Sequence, residues 1–96
     1  MIIGFIQKQP GETLDYDIDC TPAFNDDSTD FVSEVSVNML GDGNLSVTPV
    51  IASPNSVKLW VTGGTDNERY VIEVTVTTDA GRVKEDEIEV LVQEFE

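Results

Sequence analysis

Asp15, Asp17 and Asp19 recur at every second position of T-L-D-Y-D-I-D, and Asn25, Asp26, Asp27 and Asp30 crowd the segment that follows. Such oxygen-rich clusters suit calcium, which takes about six to eight ligands from carboxylates and amides. Asp15, Asp17, Asp19, Asp26 and Asp27 are therefore the candidate metal ligands. Two features weigh against them. The D-x-D-x-D run lacks the glycine and distal glutamate of an EF-hand loop, and alternate residues of a strand share a flat face without converging on a point. The competing reading is a solvated strand face whose charges block edge pairing.

Other chemistry is excluded by residue type. With no histidine there is no imidazole base and no Ser-His or Cys-His nucleophile pair. Cys20 is the single cysteine, so the domain holds no internal disulfide. Its neighbour Asp19 disfavours the thiolate, which leaves Cys20 a small buried hydrophobe rather than a nucleophile. Gly63-Gly64 is an isolated loop pair and not a phosphate-binding loop. Carboxylates are abundant, but nothing singles out two of them for acid–base work. The chain reads as non-enzymatic, with no cofactor.

Nineteen acidic residues against five basic ones give a net charge of −14. Phosphate backbones and anionic membrane surfaces both need cations opposite them, so nucleic acid and membrane are excluded as partners. A basic protein partner remains open, as does simple solubility. An acidic inhibitor that mimics nucleic acid is the alternative from a different functional class. The hydrophobic content of 40% is too high for a disordered acidic chain. No apolar run reaches transmembrane length. The opening M-I-I-G-F-I has neither a basic flank nor a cleavage site, so the expectation is a protein made and kept in a cytosol, or released from one by lysis.

The elements that would position these side chains are strands. In residues 60–92, Tyr70, Ile72, Val74 and Val76 fall on one face, while Val71, Glu73, Thr75 and Thr77 fall on the other. Asp79-Ala80-Gly81-Arg82 supplies a turn, and Ile88, Val90 and Val92 repeat the inward phase. Upstream, Leu14, Tyr16, Ile18 and Cys20 alternate with the aspartates. Val35, Val37 and Met39 form a further phase, as do Val57, Leu59 and Val61. A strand over residues 45–52 is expected to break near Pro49. Phe24 is expected to anchor the acidic loop, and the hydroxyl of Tyr70 to bond back to the loop before it, as in a tyrosine corner. About seven short strands without a helical segment predict an all-β, immunoglobulin- or fibronectin-III-like antiparallel sandwich. It forms a single domain over residues 1–96, with residues 1–7 either an N-terminal arm or an edge strand.

K-Q-P-G-E-T-L-D-Y-D-I-D (residues 8–19) resembles the K-x-P-x-x-x-L-D-Y opening of small proteins from tailed-phage and prophage structural modules. Residues 60–87 resemble their closing hairpin, where a Gly-Gly-Thr turn and a tyrosine precede T-T-x-A-G-R and an acidic stretch. The chain is thus similar to the phage fibre–tail adaptor family. The resemblance implies an Ig-like virion protein that joins tail fibres or other components to the tail or neck. It also implies several copies in a symmetric particle and other virion proteins as partners. A capsid decoration protein on the head surface is the alternative within that class. The sequence departs from the pattern at Pro22-Ala23-Phe24, which lacks a tryptophan, and in its heavier acidic load.

Sandwich modules assemble through exposed sheet edges and end loops. The candidate interface residues are the apolar Ile2, Ile3, Phe5 and Ile6, the outward Trp60, and Leu91 and Phe95 near the end of the chain. Tryptophan is enriched among interface residues that dominate binding energy.

Overall fold

Period-two alternation governs every strand of the structure, a computed structural model that describes residues 2–94. The strands are β1 (Ile2–Lys8), β2 (Thr13–Asp19), β3 (Val32–Leu40), β4 (Leu45–Ser53), β5 (Ser56–Gly63), β6 (Glu68–Thr78) and β7 (Val83–Val92), with a 3-10 turn at Thr21–Phe24. They form two sheets, a larger one in the order β1-β7-β6-β3 and a smaller one in the order β2-β5-β4. The fold is the expected all-β sandwich. Its inner faces carry the expected phases: Val57, Leu59 and Val61 from β5, Tyr70, Ile72 and Val74 from β6, and Ile88, Val90 and Val92 from β7 are all buried.

Residues 2–8 form an edge strand and not a free arm. β1 runs parallel to β7, from Ile2 opposite Glu87 to Lys8 opposite Val92, and β2 then crosses to the other sheet through the Pro10-Gly11 turn. Lys8 is fully buried, and its ammonium donates to the carbonyls of Gln9 and Gly63. Burial pushes its pKa down, because desolvation disfavours the charged form. The lysine of the K-x-P motif is therefore a staple between β1 and the end of β5.

β4 does not break at Pro49. It is the outer strand of the smaller sheet, where a missing N–H costs no ladder bond, and the irregularity falls at Ile51–Ser53 instead. The T-T-D-A-G-R segment holds the acidic loop on the β6–β7 turn. The guanidinium of Arg82 donates to Asp30 at 2.8 Å and Asp27 at 3.1 Å, while Asp30 also accepts from the backbone N–H groups of Ala80 and Phe31. Desolvation pushes the Asp30 carboxyl upward, yet the bonds from Thr78, Ala80, Arg82 and Phe31 outweigh it and hold the pKa well below the usual carboxylate range. Phe24 is buried beneath this loop, as the sequence suggests.

Candidate protein-docking surface

Inward alternation on both sheets leaves two outer faces, and the strand register assembles each from distant residues. On the larger sheet, Leu40 lies opposite Val71, Val71 opposite Glu89, and Glu89 opposite Phe5. One row thus crosses all four strands. The adjacent row places Arg69 opposite Leu91 and Leu91 opposite Gln7. Phe5 and Leu40 are 51% and 49% exposed, and Arg69 donates to Glu89 across the strip. The far end of the same face is acidic. Glu73 lies opposite Glu87 and Thr75 opposite Glu85, and Asn38 donates to Glu73 at 2.8 Å. Like charges directly opposite one another disfavour the isolated sheet, so this end favours a cationic neighbour.

On the smaller sheet, β5 places Trp60 between Asp15 of β2 and Thr48 of β4. Trp60 is 43% exposed, with exposed Val50 one row further along. The Lys58 ammonium lies 5.7 Å from the centroid of the indole ring. The same ammonium is gripped by Asp15 at 2.7 Å and Asp17 at 3.0 Å. The bonds to Asp15 and Asp17 raise the Lys58 pKa, and the bond from Lys58 lowers that of Asp15.

This arrangement decides where the candidate calcium ligands go. Lys58 supplies the cation between Asp15 and Asp17. Asp19 instead accepts from the N–H of Thr21 at 3.0 Å and its hydroxyl at 2.6 Å, at the entry to the 3-10 turn. Asp27 accepts from the N–H and hydroxyl of Thr29 and from Arg82, and Asp26 is exposed. Asp15 and Asp17 thus share Lys58, Asp19 and Asp27 serve separate turns, and Asp26 faces solvent. Among the described residues, no group of three or more acidic, Cys or His side chains is placed to hold a metal ion.

The proposed contact residues also divide. Phe5 and Leu91 come together on the larger sheet, Ile2 is exposed beside them at the register of Glu87, and Trp60 lies on the opposite face. Ile3 is half-buried at the edge. Ile6 is in the core and is not surface at all, because its phase along β1 matches the inward phase of Val90 on β7. Phe95 lies outside the described residues. Sequence reasoning missed Leu40, Val50 and Val71. The signal was there for all three, since each is an apolar residue out of phase with the inward set of its own strand.

The tyrosine corner is present. The Tyr70 hydroxyl donates to Asp42 at 2.7 Å and accepts from the N–H of Thr65 at 2.8 Å, within the Gly-Gly-Thr turn. The motifs at Lys8, Thr65–Tyr70 and Thr77–Arg82 thus hold the scaffold together, and the outer faces carry the exposed apolar and acidic groups.

No curated protein matches the chain in sequence. A family model described as "Podophage GP4 fiber-tail adaptor protein gp77" matches residues 8–91, which takes in β2 to β6 and nearly all of β7. On that match, the chain belongs to the family of podophage fibre–tail adaptor proteins.

Proposed function

We propose that this chain is a non-enzymatic, Ig-like virion module that joins tail-fibre components to the tail or neck, using the two outer faces of its sandwich at once. An adaptor must hold two neighbours. The observation that carries this reading is that apolar groups stand exposed on both faces, Phe5 and Leu40 with half-buried Val71 and Leu91 on one and Trp60 and Val50 on the other, with the core between them. The parallel β1–β7 pairing and the strand orders support the Ig-like reading of the sandwich. Several copies in a symmetric particle and a place in the virion tail follow from the adaptor role.

The test is quantitative mass spectrometry of purified particles, reporting copies relative to portal and major capsid protein. The adaptor reading expects a small multiple of portal in wild-type particles. It expects particles carrying Phe5→Asp with Leu40→Asp, or Trp60→Asp, to lose the protein or the fibres while the purified domain still folds. A wild-type ratio that tracks the capsid protein would move the assignment to head decoration. Complete absence from particles would sink the virion reading and favour the acidic inhibitor.

A further inference from the structure

β1 does not cover the whole edge of β7. Its pairing begins with Ile2 opposite Glu87, so among the described residues no strand pairs with Val83, Lys84 and Glu85 on the side of β7 away from β6. Period-two alternation turns Lys84 and Asp86 to the inner face, in phase with the buried Ile88, Val90 and Val92. The stretch Lys84-Glu85-Asp86-Glu87 is thus not wholly a charged surface, as its composition suggests. Two of its four charges face a cleft between the sheets.

That cleft has a volume of about 310 Å³, and its lining includes Ile3, Ile18 and Pro22 together with the charged Asp17, Asp19, Lys84 and Asp86. The side chain of Asp86 is only 12% exposed, and its ion pair with Lys84 is long, at 3.4 Å. A charge-assisted bond of full strength is nearer about 2.8 Å. Asp17 and Asp19 already have partners in Lys58 and Thr21. Asp86 is therefore the carboxylate with capacity to spare, largely buried in a partly apolar cleft beside the open side of β7.

We propose that this edge and cleft receive an extended segment of a neighbouring virion protein, which adds a strand beside Val83–Glu85 and lays an arginine into the cleft against Asp86. Main-chain bonds to the edge give such strand addition its affinity, and the pocket for an alternate side chain gives it specificity. The net charge of −14 and the carboxylates at the cleft select a cationic side chain. The apolar lining from Ile3, Ile18 and Pro22 suits the arginine stem. Without the segment, the inward charges of Lys84 and Asp86 guard the open edge against indiscriminate pairing. The proposal rests on the adaptor reading for the nature of its partner.

The probe is a blocked heptapeptide of alternating threonine and valine with one central arginine, titrated into the full chain labelled for NMR. Expected are slowed amide exchange at Val83–Glu85 and shifts of the Ile3 and Ile18 methyl groups. Asp86→Asn, or a glutamine in place of the peptide arginine, should each weaken binding at least about fivefold. Lys84→Gln removes the competing ammonium and should tighten it. Equal binding of the glutamine peptide overturns the proposal. So do shifts confined to the Glu73–Glu87 face, weaker binding to Lys84→Gln, or no binding. The two readings fail separately: absence of the protein from particles sinks the adaptor and leaves the peptide result standing, whereas failed peptide capture with normal incorporation sinks only the cleft.

Discussion

The hydroxyl of Tyr16 fills the space over Gly4 that any other residue would need for its side chain: a Cβ at Gly4 would sit 1.9 Å from the Tyr16 oxygen. The two residues belong to different sheets, β1 and β2, and their contact closes one side of the sandwich. Gly4→Ala forces Tyr16 out of its seat. The expected loss is about 1 kcal/mol, the low end of the range for overpacking, because the half-buried Tyr16 ring can swing aside. Urea denaturation checks it, and a double-mutant cycle identifies the cause. In a Tyr16→Ala background the cost of Gly4→Ala should largely vanish; an undiminished cost would place the strain elsewhere.

The tyrosine corner predicts an acid-sensitive step. Bonds from Thr65, from the N–H of Asn44 and from the Tyr70 hydroxyl hold the Asp42 carboxyl down at about 2. A carboxyl in the unfolded chain titrates near about 3.9. The folded value is the lower one, so this contribution is complete above about pH 4 and is lost as pH falls toward about 2. Melting temperatures of Asp42→Asn and wild type should therefore converge over that window. Tyr70→Phe should cost about 1–2 kcal/mol near neutral pH, because it removes the part-buried hydrogen bonds to the Thr65 N–H and to the Asp42 carboxylate. Parallel melting curves with no convergence would count against the corner as the acid-labile element.

Neighbouring residues of β5 should behave oppositely. Leu59 is fully buried, and Leu59→Ala should cost about 2–5 kcal/mol. Trp60 faces outward, and Trp60→Ala should cost under about 1 kcal/mol, mostly through its Lys58 contact. Thermal melts of the two variants compare them directly. A large loss for Trp60→Ala would make the ring part of the scaffold and not a docking group.

Lys58 accounts for the low pKa of Asp15 through their hydrogen bond. In Lys58→Gln the Asp15 carboxyl should rise into the ordinary carboxylate range, as followed by its carboxyl carbon signal during a pH titration. An unchanged Asp15 would mean that another cation or donor holds it.

Much of this architecture is legible in the sequence because alternation is a local property. The inward sets of β5, β6 and β7 follow from side chains pointing to opposite faces, and each is buried as read. The bond from Tyr70 to the preceding loop is legible for the same reason, since its partner Thr65 lies five residues away. What alternation omits is which strand lies beside which. Nothing local tells that residues 2–8 run parallel along β7, that Lys84 and Asp86 turn toward an open cleft, or that Phe5 and Leu40 share a row. Nor does it tell that Lys58 takes up Asp15 and Asp17, which made the aspartate run look like a metal site. Those relationships join residues dozens of positions apart, and they exist only once the two sheets have closed on one core. The sequence by itself determined the strands and their buried faces, because period two is written residue by residue. Only the tertiary structure decided the docking surfaces, because an outer face is assembled by strand order and register across the whole chain.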